Sequence, residues 1–213
     1  MSHEAQNVPT IRVAAILRAG TPVTCTADTV LYRQAEPAEQ VFYIEDGLVK
    51  LDVASSQGKR AVIGLLGRDS FFGEGCLAGQ GLRNATATTL VETRLVQVRK
   101  PAMLRLLRSD PAFAQQFVRH LLRRTTRIEE DLIDLLVNST EKRLARALLL
   151  LANLNGGSQA MLARINQQTL AEIVGTTRPR VSHFISKFRR QGYVSASGPL
   201  RVHSTLVKVM LED

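Results

Sequence analysis

The sequence predicts an α+β fold built from three successive parts, and three observations support this prediction. Many short β-rich runs separated by turn residues predict an N-terminal antiparallel β-roll of the jelly-roll type. Beyond residue 110, apolar residues recur at helical spacing for three heptads, which predicts one long helix. Near the C-terminus, two helical patterns joined by a glycine turn and followed by a hairpin pattern predict a winged helix-turn-helix. The domain boundaries we expect are 1–110, 111–138 and 139–213.

The β-rich part contains six short runs of apolar and β-branched residues between Pro22 and Arg99. They cover residues 29–32, 41–44, 48–53, 61–66, 86–91 and 94–98. Turn signals such as Glu45-Asp46-Gly47 and Gly67-Arg68-Asp69 separate the runs, as is typical of a β-sandwich or β-roll. Apolar positions before residue 20 and the segment 101–107 predict short helices on either side of the strands.

The long helix is predicted to begin at Asp110, whose carboxylate can cap it, with Pro111 at the first helical position. Its apolar residues alternate at spacings of four and three, the pattern of a coiled-coil seam, and are Ala114, Val118, Leu121, Thr125, Ile128, Leu132 and Leu135. The flanks are highly charged, so we expect the apolar stripe to be a narrow ribbon. We interpret the residues from Val118 to Leu135 in this list as the interface of a symmetric dimer. A helix packed on its own β-domain is the alternative that the sequence leaves open.

The segment from Ile165 to Gly192 predicts the helix-turn-helix, with the turn at Gly175. Thr177 is expected to cap the second helix with its hydroxyl. The buried stripe of that helix is predicted to be Val181, Phe184, Ile185 and Phe188. The outward side chains suit the major groove of duplex DNA, and the predicted DNA-binding residues are Thr177, Arg178, Arg180, Ser182, His183 and Lys187. The simpler alternative is a helical hairpin with a solvated basic face.

The net charge is +9, and most of it lies in the C-terminal half. Residues 1–110 carry 13 Lys and Arg against 11 Asp and Glu, whereas residues 111–213 carry 15 against 8. This asymmetry predicts a polyanionic partner such as DNA. A membrane surface or a protein-interaction role is less favoured, because no long apolar run or lipidation signal is present. The N-terminus lacks a signal-peptide pattern, so we expect a cytoplasmic protein.

A second candidate site lies in the glycine-rich run from Phe71 to Leu90. Gly73 and Gly75 flank Glu74, and the segment 75–78, which includes Cys76, can form a helical turn whose N–H groups face a phosphate. Arg83 can bind that phosphate through its planar guanidinium, and Glu74 can accept a hydrogen bond from a sugar hydroxyl. On spacing alone, a surface salt bridge between the two side chains is the alternative.

The order of these parts resembles the Crp/Fnr family of bacterial transcription regulators, over about residues 23–209. The resemblance is carried by Tyr43-Ile44-Glu45-Asp46-Gly47, the run from Gly67 to Glu74, Arg83, and the run from Leu170 to Gly175. It implies a homodimer that binds a pseudo-palindromic operator in double-stranded DNA. It also implies RNA polymerase as a further partner and a β-roll that senses an effector.

In the cyclic-AMP-binding members of that family, the acid matching Glu74 holds the ribose 2′-hydroxyl and the arginine matching Arg83 holds the cyclic phosphate. The resemblance therefore implies cyclic AMP or cyclic GMP as an effector, with no required cofactor. The effector-binding residues implied are Gly73, Glu74, Gly75, Cys76, Arg83, Asn84, Thr125, Ile128 and Glu129.

The chain departs from the cyclic-AMP pattern at three places. Asn84 stands where serine is usual, and Ile128 and Glu129 stand where a Thr-Ser pair receives the adenine. The segment between the acid and the arginine is also one residue shorter than in the best-known receptor. A ligand-independent regulator with a degenerate pocket is therefore the alternative to a cyclic-nucleotide sensor.

Catalysis and metal binding are not predicted. The chain has no GxSxG, Walker or HExxH motif, and none of its four histidines lies in the β-rich region, where a cupin-type enzyme needs them. Cys25 and Cys76 cannot supply an iron–sulfur cluster, and they form neither a disulfide framework nor a CxxC motif. His120 could ligate haem, but a single helical histidine is more often solvated or hydrogen-bonded in the core.

Overall fold

The computed structural model describes residues 13–58, 60–153, 165–198 and 200–211. Its N-terminal half is a roll of two antiparallel four-stranded sheets, with strand orders β1-β8-β3-β6 and β2-β7-β4-β5. The strands are β1 (Thr21–Cys25), β2 (Val30–Tyr32), β3 (Gln40–Asp46), β4 (Val49–Ala54), β5 (Arg60–Leu66), β6 (Phe71–Phe72), β7 (Thr86–Thr89) and β8 (Thr93–Arg99). The predicted antiparallel β-roll is confirmed.

Two strands were absent from the sequence-based prediction, and both are weak signals for physical reasons. Strand β1 contains Pro22 and lies at the edge of its sheet, where a missing N–H is tolerated. Strand β6 is only two residues long, too short for an alternating pattern to show.

The two residues of β6 connect the two halves of the N-terminal core. Successive strand residues face opposite sides of a sheet. Phe72 accordingly lies between the sheets, stacked on Phe42 with ring centroids 4.9 Å apart. Phe71 faces the other way and meets Phe117 of the long helix edge-on at 5.0 Å. This aromatic contact fixes the long helix against the first sheet.

Helices α1 (Val13–Ala19) and α2 (Lys100–Ser109) cover the first sheet, and α3 (Pro111–Val137) is the predicted long helix. Asp110 caps α3 as expected, because its Oδ1 accepts a hydrogen bond from the Phe113 N–H at 3.0 Å. Phe113 and Phe117 in the first turns are buried against the roll. The helix therefore does pack on its own β-domain, as the alternative interpretation required.

The seam of α3 remains exposed in the single chain. Ile128 is 51% exposed, and Val118, Leu132 and Leu135 are similarly open to solvent. The prediction of a narrow ribbon is wrong, because other large apolar side chains are exposed beside the seam, namely Leu122, Ile133, Leu136 and Val137. Leu136 is 75% exposed. The apolar surface that a partner would have to cover is thus broader than the heptad pattern alone indicates.

The C-terminal domain contains α4 (Thr140–Asn153), α5 (Gln167–Val174), α6 (Arg178–Arg190) and the short α7 (Lys208–Leu211). Within the described residues, the predicted hairpin after α6 is reduced to one bridge between Val194 and Val202. The Ser195 N–H also donates to the Arg201 carbonyl at 2.9 Å. The structure thus contains a minimal wing. The strand expected over residues 161–165 lies largely outside the described residues.

The C-terminal domain packs directly on the second sheet. Leu48 belongs to the same buried cluster as α4, α5 and α6, and Leu65 and Leu90 pack against that cluster. The Lys50 ammonium joins the two domains, because it lies 3.4 Å from Asp52 on its own strand and 3.5 Å from Glu172 on α5. The orientation of α6 is therefore set partly by the β-roll. No helix within the described ranges has the length and apolar character needed to cross a membrane.

Candidate effector pocket and DNA-binding surface

A cavity of about 510 Å³ lies between the second sheet, the glycine-rich turn and α3. Six of the nine predicted effector-binding residues line it, namely Gly73, Glu74, Gly75, Cys76, Arg83 and Asn84. Thr125, Ile128 and Glu129 do not line the cavity of the single chain, and their contact with an effector stays a prediction. They lie farther along α3 with exposed side chains. The helix instead contributes Phe117, Leu121 and Arg124.

The turn that forms the floor of the cavity depends on Gly73. Its φ of 75° is in the left-handed region, which glycine adopts without steric cost. A Cβ at this position would lie 2.5 Å from Nη1 of Arg83 and 3.1 Å from the Gln40 carbonyl oxygen. The following residues, Glu74–Ala78, form the predicted short helical turn as a 3-10 helix. Cys76 within it is fully buried, and burial raises the pKa of its thiol.

Arg83 holds this turn in place. Its Nη1 donates to the Gly73 carbonyl at 3.0 Å and its Nη2 donates to the Gln40 carbonyl at 2.8 Å. Its guanidinium lies 4.2 Å from the centre of the Tyr32 ring. The buried Nε has no hydrogen-bond partner among the described residues. Two of the five N–H donors of this guanidinium are thus used by backbone carbonyls, and the buried Nε–H is a donor that remains for a ligand.

Glu74 forms an ion pair that the sequence reasoning missed, since its Oε1 accepts a hydrogen bond from Nη1 of Arg124 on α3. Its Oε2 is buried and has no partner within the described parts of the chain. A signal for Arg124 was present, because positions 117, 121 and 124 share one helix face at spacings of four and three. Phe117 and Leu121 are the two other α3 residues that line the cavity.

The cavity therefore places two cations beside one carboxylate. Burial raises the pKa of Tyr32 to about 12, although the positive charge of Arg83 opposes this shift. The Tyr32 hydroxyl is thus neutral at physiological pH. The free Nε–H of Arg83 can donate to an anionic oxygen, and the free Oε2 of Glu74 can accept from a hydroxyl. A ligand that carries both groups would satisfy both buried atoms.

His120 is a structural hydrogen-bonding residue. Its Nε2 accepts a hydrogen bond from the Phe71 N–H at 3.2 Å. Burial and, to a lesser extent, the charge of Arg124 lower the pKa of His120 to about 4. The interpretation of His120 as a core hydrogen-bonding histidine is confirmed. In the part of the chain that the structure describes, no group of three His, Cys, Asp or Glu could hold a metal ion.

The second helix of the helix-turn-helix presents the predicted polar face. Thr177, Arg178, Arg180, Ser182 and His183 are all exposed. On the opposite face the core residues are buried as predicted, namely Val181, Ile185 and Phe188, whereas Phe184 is only half-buried.

Two details of α6 differ from the prediction. Thr177 occupies the N-cap position, but its hydroxyl makes no capping hydrogen bond, so the predicted hydroxyl cap is wrong. Lys187 is paired with Glu141 of α4, with Nζ 2.7 Å from Oε1. Its ammonium is therefore already engaged within the protein, whereas we had expected it to be free for a phosphate.

Known proteins share both halves of this architecture. Residues 22–110 match the family model of the cyclic nucleotide-binding domain, and residues 142–205 match that of the Crp-like helix-turn-helix domain. A CRP-like cAMP-activated global transcriptional regulator of Mycobacterium tuberculosis is 27% identical over 197 residues, which cover 91% of this chain and 88% of that protein. The cyclic AMP receptor protein of Thermus thermophilus is 28% identical over 164 residues, 77% of this chain and 74% of that protein.

Solved structures show the same fold. The c-di-GMP-responsive global regulator CLP of Xanthomonas campestris has a TM-score of 0.76 at 19% identity, covering 90% of this chain and 98% of that chain. FixK2 of Bradyrhizobium japonicum has a TM-score of 0.74 at 19% identity, covering 89% of this chain and 96% of that chain.

The two matched domains stand in the predicted order, with α3 between them, and they contain the cavity and the exposed face of α6. Curated relatives such as the Mycobacterium tuberculosis protein are transcriptional regulators, which agrees with the prediction that the chain is not an enzyme. The chain belongs to the Crp/Fnr family of transcription regulators.

Proposed function

We propose that the chain acts as a homodimer that binds a pseudo-palindromic site in duplex DNA and responds to a cyclic nucleotide in the β-roll. The observation that carries the effector proposal is the pair of unsatisfied buried atoms in the cavity, Arg83 Nε and Glu74 Oε2. Buried polar groups without a partner are costly, and native proteins rarely leave two of them together. A ligand that hydrogen-bonds to both atoms would recover the free energy that their lack of partners costs, and this gain would strengthen its binding.

A cyclic nucleotide fits this requirement chemically. One cyclic-phosphate oxygen would accept the hydrogen bond from Nε of Arg83, and the ribose 2′-hydroxyl would donate to Oε2 of Glu74. Exposed apolar side chains at the rim, Ile63 and Leu82, would cover a purine base. Both cyclic AMP and cyclic GMP present these groups, so the pocket as described favours neither.

A ligand-independent regulator is the second candidate, and one observation favours it. The Arg124–Glu74 ion pair already neutralises the carboxylate that would bind the ribose. A carboxylate that is already paired with an arginine of the same chain needs no effector to balance its charge. The choice between the two candidates depends on whether a nucleotide binds at all.

Titration calorimetry with cyclic AMP and cyclic GMP, each against the wild type and Glu74→Gln, tests the effector. We expect the wild type to bind a nucleotide and Glu74→Gln to bind it at least ten-fold more weakly, because a neutral amide is a poorer acceptor for the ribose hydroxyl. Glu92→Gln serves as the control, because it makes the same change at an exposed carboxylate that does not line the cavity. If neither nucleotide at millimolar concentration gives a heat of binding or a thermal shift, the ligand-independent regulator is the candidate that remains.

For DNA, the exposed N-terminal part of α6 suits the major groove, with Arg178 and Arg180 reaching base edges first. Arg178→Ala should lose about 1–3 kcal/mol of discrimination at one base position of each half-site. Site selection from random duplexes followed by sequencing measures this loss. If the selected consensus is unchanged in Arg178→Ala, Arg178 does not contact base edges.

The proposed dimer is supported by the exposed apolar seam of α3. Leu132→Asp places a charge in this seam and should convert a dimer into a monomer in sedimentation equilibrium, because an unpaired buried charge is strongly unfavourable. Contact with RNA polymerase remains a proposal that rests on the family alone.

A further inference from the structure

The spacing of the seam assigns every residue of α3 a position in a coiled coil. In a heptad, d follows a by three residues and the next a follows d by four. Thr125 and Ile128 are therefore an a and a d residue. Arg124, just before Thr125, is at a g position, and Glu129, just after Ile128, is at an e position.

Glu129 is out of place among the e residues of the exposed seam. Its counterparts one heptad away are Leu122 and Leu136, which are exposed and apolar. Glu129 is itself exposed, and no hydrogen bond or ion pair of its carboxylate occurs within the described residues. If two copies pack along the seam, this carboxylate leaves water between apolar neighbours. That loss of hydration is costly unless a cation pairs with it.

The same register supplies the cation. In a parallel two-stranded coiled coil, the g residue of one heptad faces the e residue of the next heptad on the other helix. Glu129 lies five positions after Arg124, which is the offset between such a g residue and the e residue that it faces. The next g residue, Asp131, provides a contrast, because it bonds Arg146 of its own chain at 3.3 Å and would face Leu136.

Arg124 can hold a second carboxylate. Its side chain is partly exposed, and its Nη1 binds Oε1 of Glu74 in the cavity. A guanidinium has five N–H donors, so further donors remain beside the one used by Glu74. Arg124 therefore stands between the effector pocket on one side and the unpartnered seam on the other.

We propose that, in the dimer, Glu129 of the partner subunit pairs with Arg124, so that the partner contributes a residue to the effector site. This inference rests on the proposed homodimer. The ligand-binding acid Glu74 and Glu129 of the partner subunit then hold the same guanidinium. A ligand that engages Glu74 changes what Arg124 offers the partner, and by linkage dimer formation changes ligand affinity by the same factor.

Mixing two oppositely tagged variants tests the pairing. Chain one carries Arg124→Glu and chain two carries Glu129→Arg. Each homodimer then contains like charges at both contacts, whereas the heterodimer restores opposite charges at both. Random mixing gives half heterodimer, and we expect about three quarters or more at low salt, because e and g charges set partner choice. The excess should disappear at 1 M salt.

Arg123→Glu mixed with Glu130→Arg is the matched control. These neighbours carry the same charge changes but lie at f positions, away from the seam, so random mixing is expected. A wild type that is monomeric at every concentration overturns the proposed dimer itself. A wild-type dimer whose Arg124 and Glu129 variants mix at random overturns only the pairing.

A milder variant covers the case in which Arg124→Glu does not fold. Glu129→Gln removes both inter-subunit pairs and leaves the pocket side chains in place. Loss of both pairs predicts a dimer dissociation constant raised about five-fold or more at low salt, because partly buried pairs contribute at least as much as exposed ones. Sedimentation measures the change, with Glu130→Gln as its neighbour control. Equal dissociation constants for Glu129→Gln and the wild type would overturn the pairing.

Discussion

Replacing Arg83 with alanine should destabilise the β-roll even when no ligand is present. The side chain is only 7% exposed, and it donates to the Gly73 and Gln40 carbonyls at 3.0 and 2.8 Å. Hydrogen bonds from a charged donor contribute about 1.5 kcal/mol or more each, which gives about 3 kcal/mol for the two. The contact with the Tyr32 ring adds about 0.5–1 kcal/mol.

Urea denaturation of the ligand-free protein, followed by circular dichroism, measures this loss of about 3–4 kcal/mol. Arg94→Ala is the matched control, because that arginine is 62% exposed and lies 3.9 Å from Asp46. It should cost less than about 1 kcal/mol. If Arg83→Ala unfolds within about 1 kcal/mol of the wild type, the two carbonyl bonds do not hold the turn, and Arg83 serves the ligand alone.

Three further predictions follow from other contacts. In the folded protein the pKa of His120 is lowered from 6.5 to about 4, so between these pH values the unfolded chain binds more protons than the folded chain. The free energy of unfolding should therefore fall as the pH drops from 6.5 to 4. His120→Gln should flatten this pH dependence, as measured by urea titrations. Gly73→Ala should weaken nucleotide binding in calorimetry, because its Cβ meets Arg83, whereas Gly79→Ala, with a similar φ and nothing near its Cβ, should bind normally. Lys50→Ala should lower the free energy of unfolding in urea by about 3 kcal/mol, because the buried Asp52 carboxylate loses its nearest cation. Arg60→Ala should cost under about 1 kcal/mol, because the Arg60 side chain is exposed and lies 3.9 Å from Asp52. Equal losses for the two variants would refute the role of Lys50.

Local patterns were sufficient to predict most elements of the fold. The caps and periods of α3, α5 and α6 depend on neighbouring residues only, so Asp110 and Gly175 could be placed from the sequence. The hydroxyl cap at Thr177 was predicted wrongly, because a capping residue type does not determine its rotamer. The width of the apolar surface on α3 was also underestimated, since Leu122 and Leu136 flank the heptad positions that a coiled-coil pattern counts.

The sequence by itself determined the order of the parts, the glycine turn with Glu74 and Arg83, and the polar face of α6. Each of these follows from residue types at short range. Only the tertiary structure decided that Arg83 bonds backbone carbonyls, that Arg124 reaches Glu74, and that Lys187 is engaged by Glu141. Apart from the bond to Gly73, these contacts join residues more than 40 positions apart in the chain. Sequence spacing carries no information about which of several cations meets a given carboxylate once the core has packed.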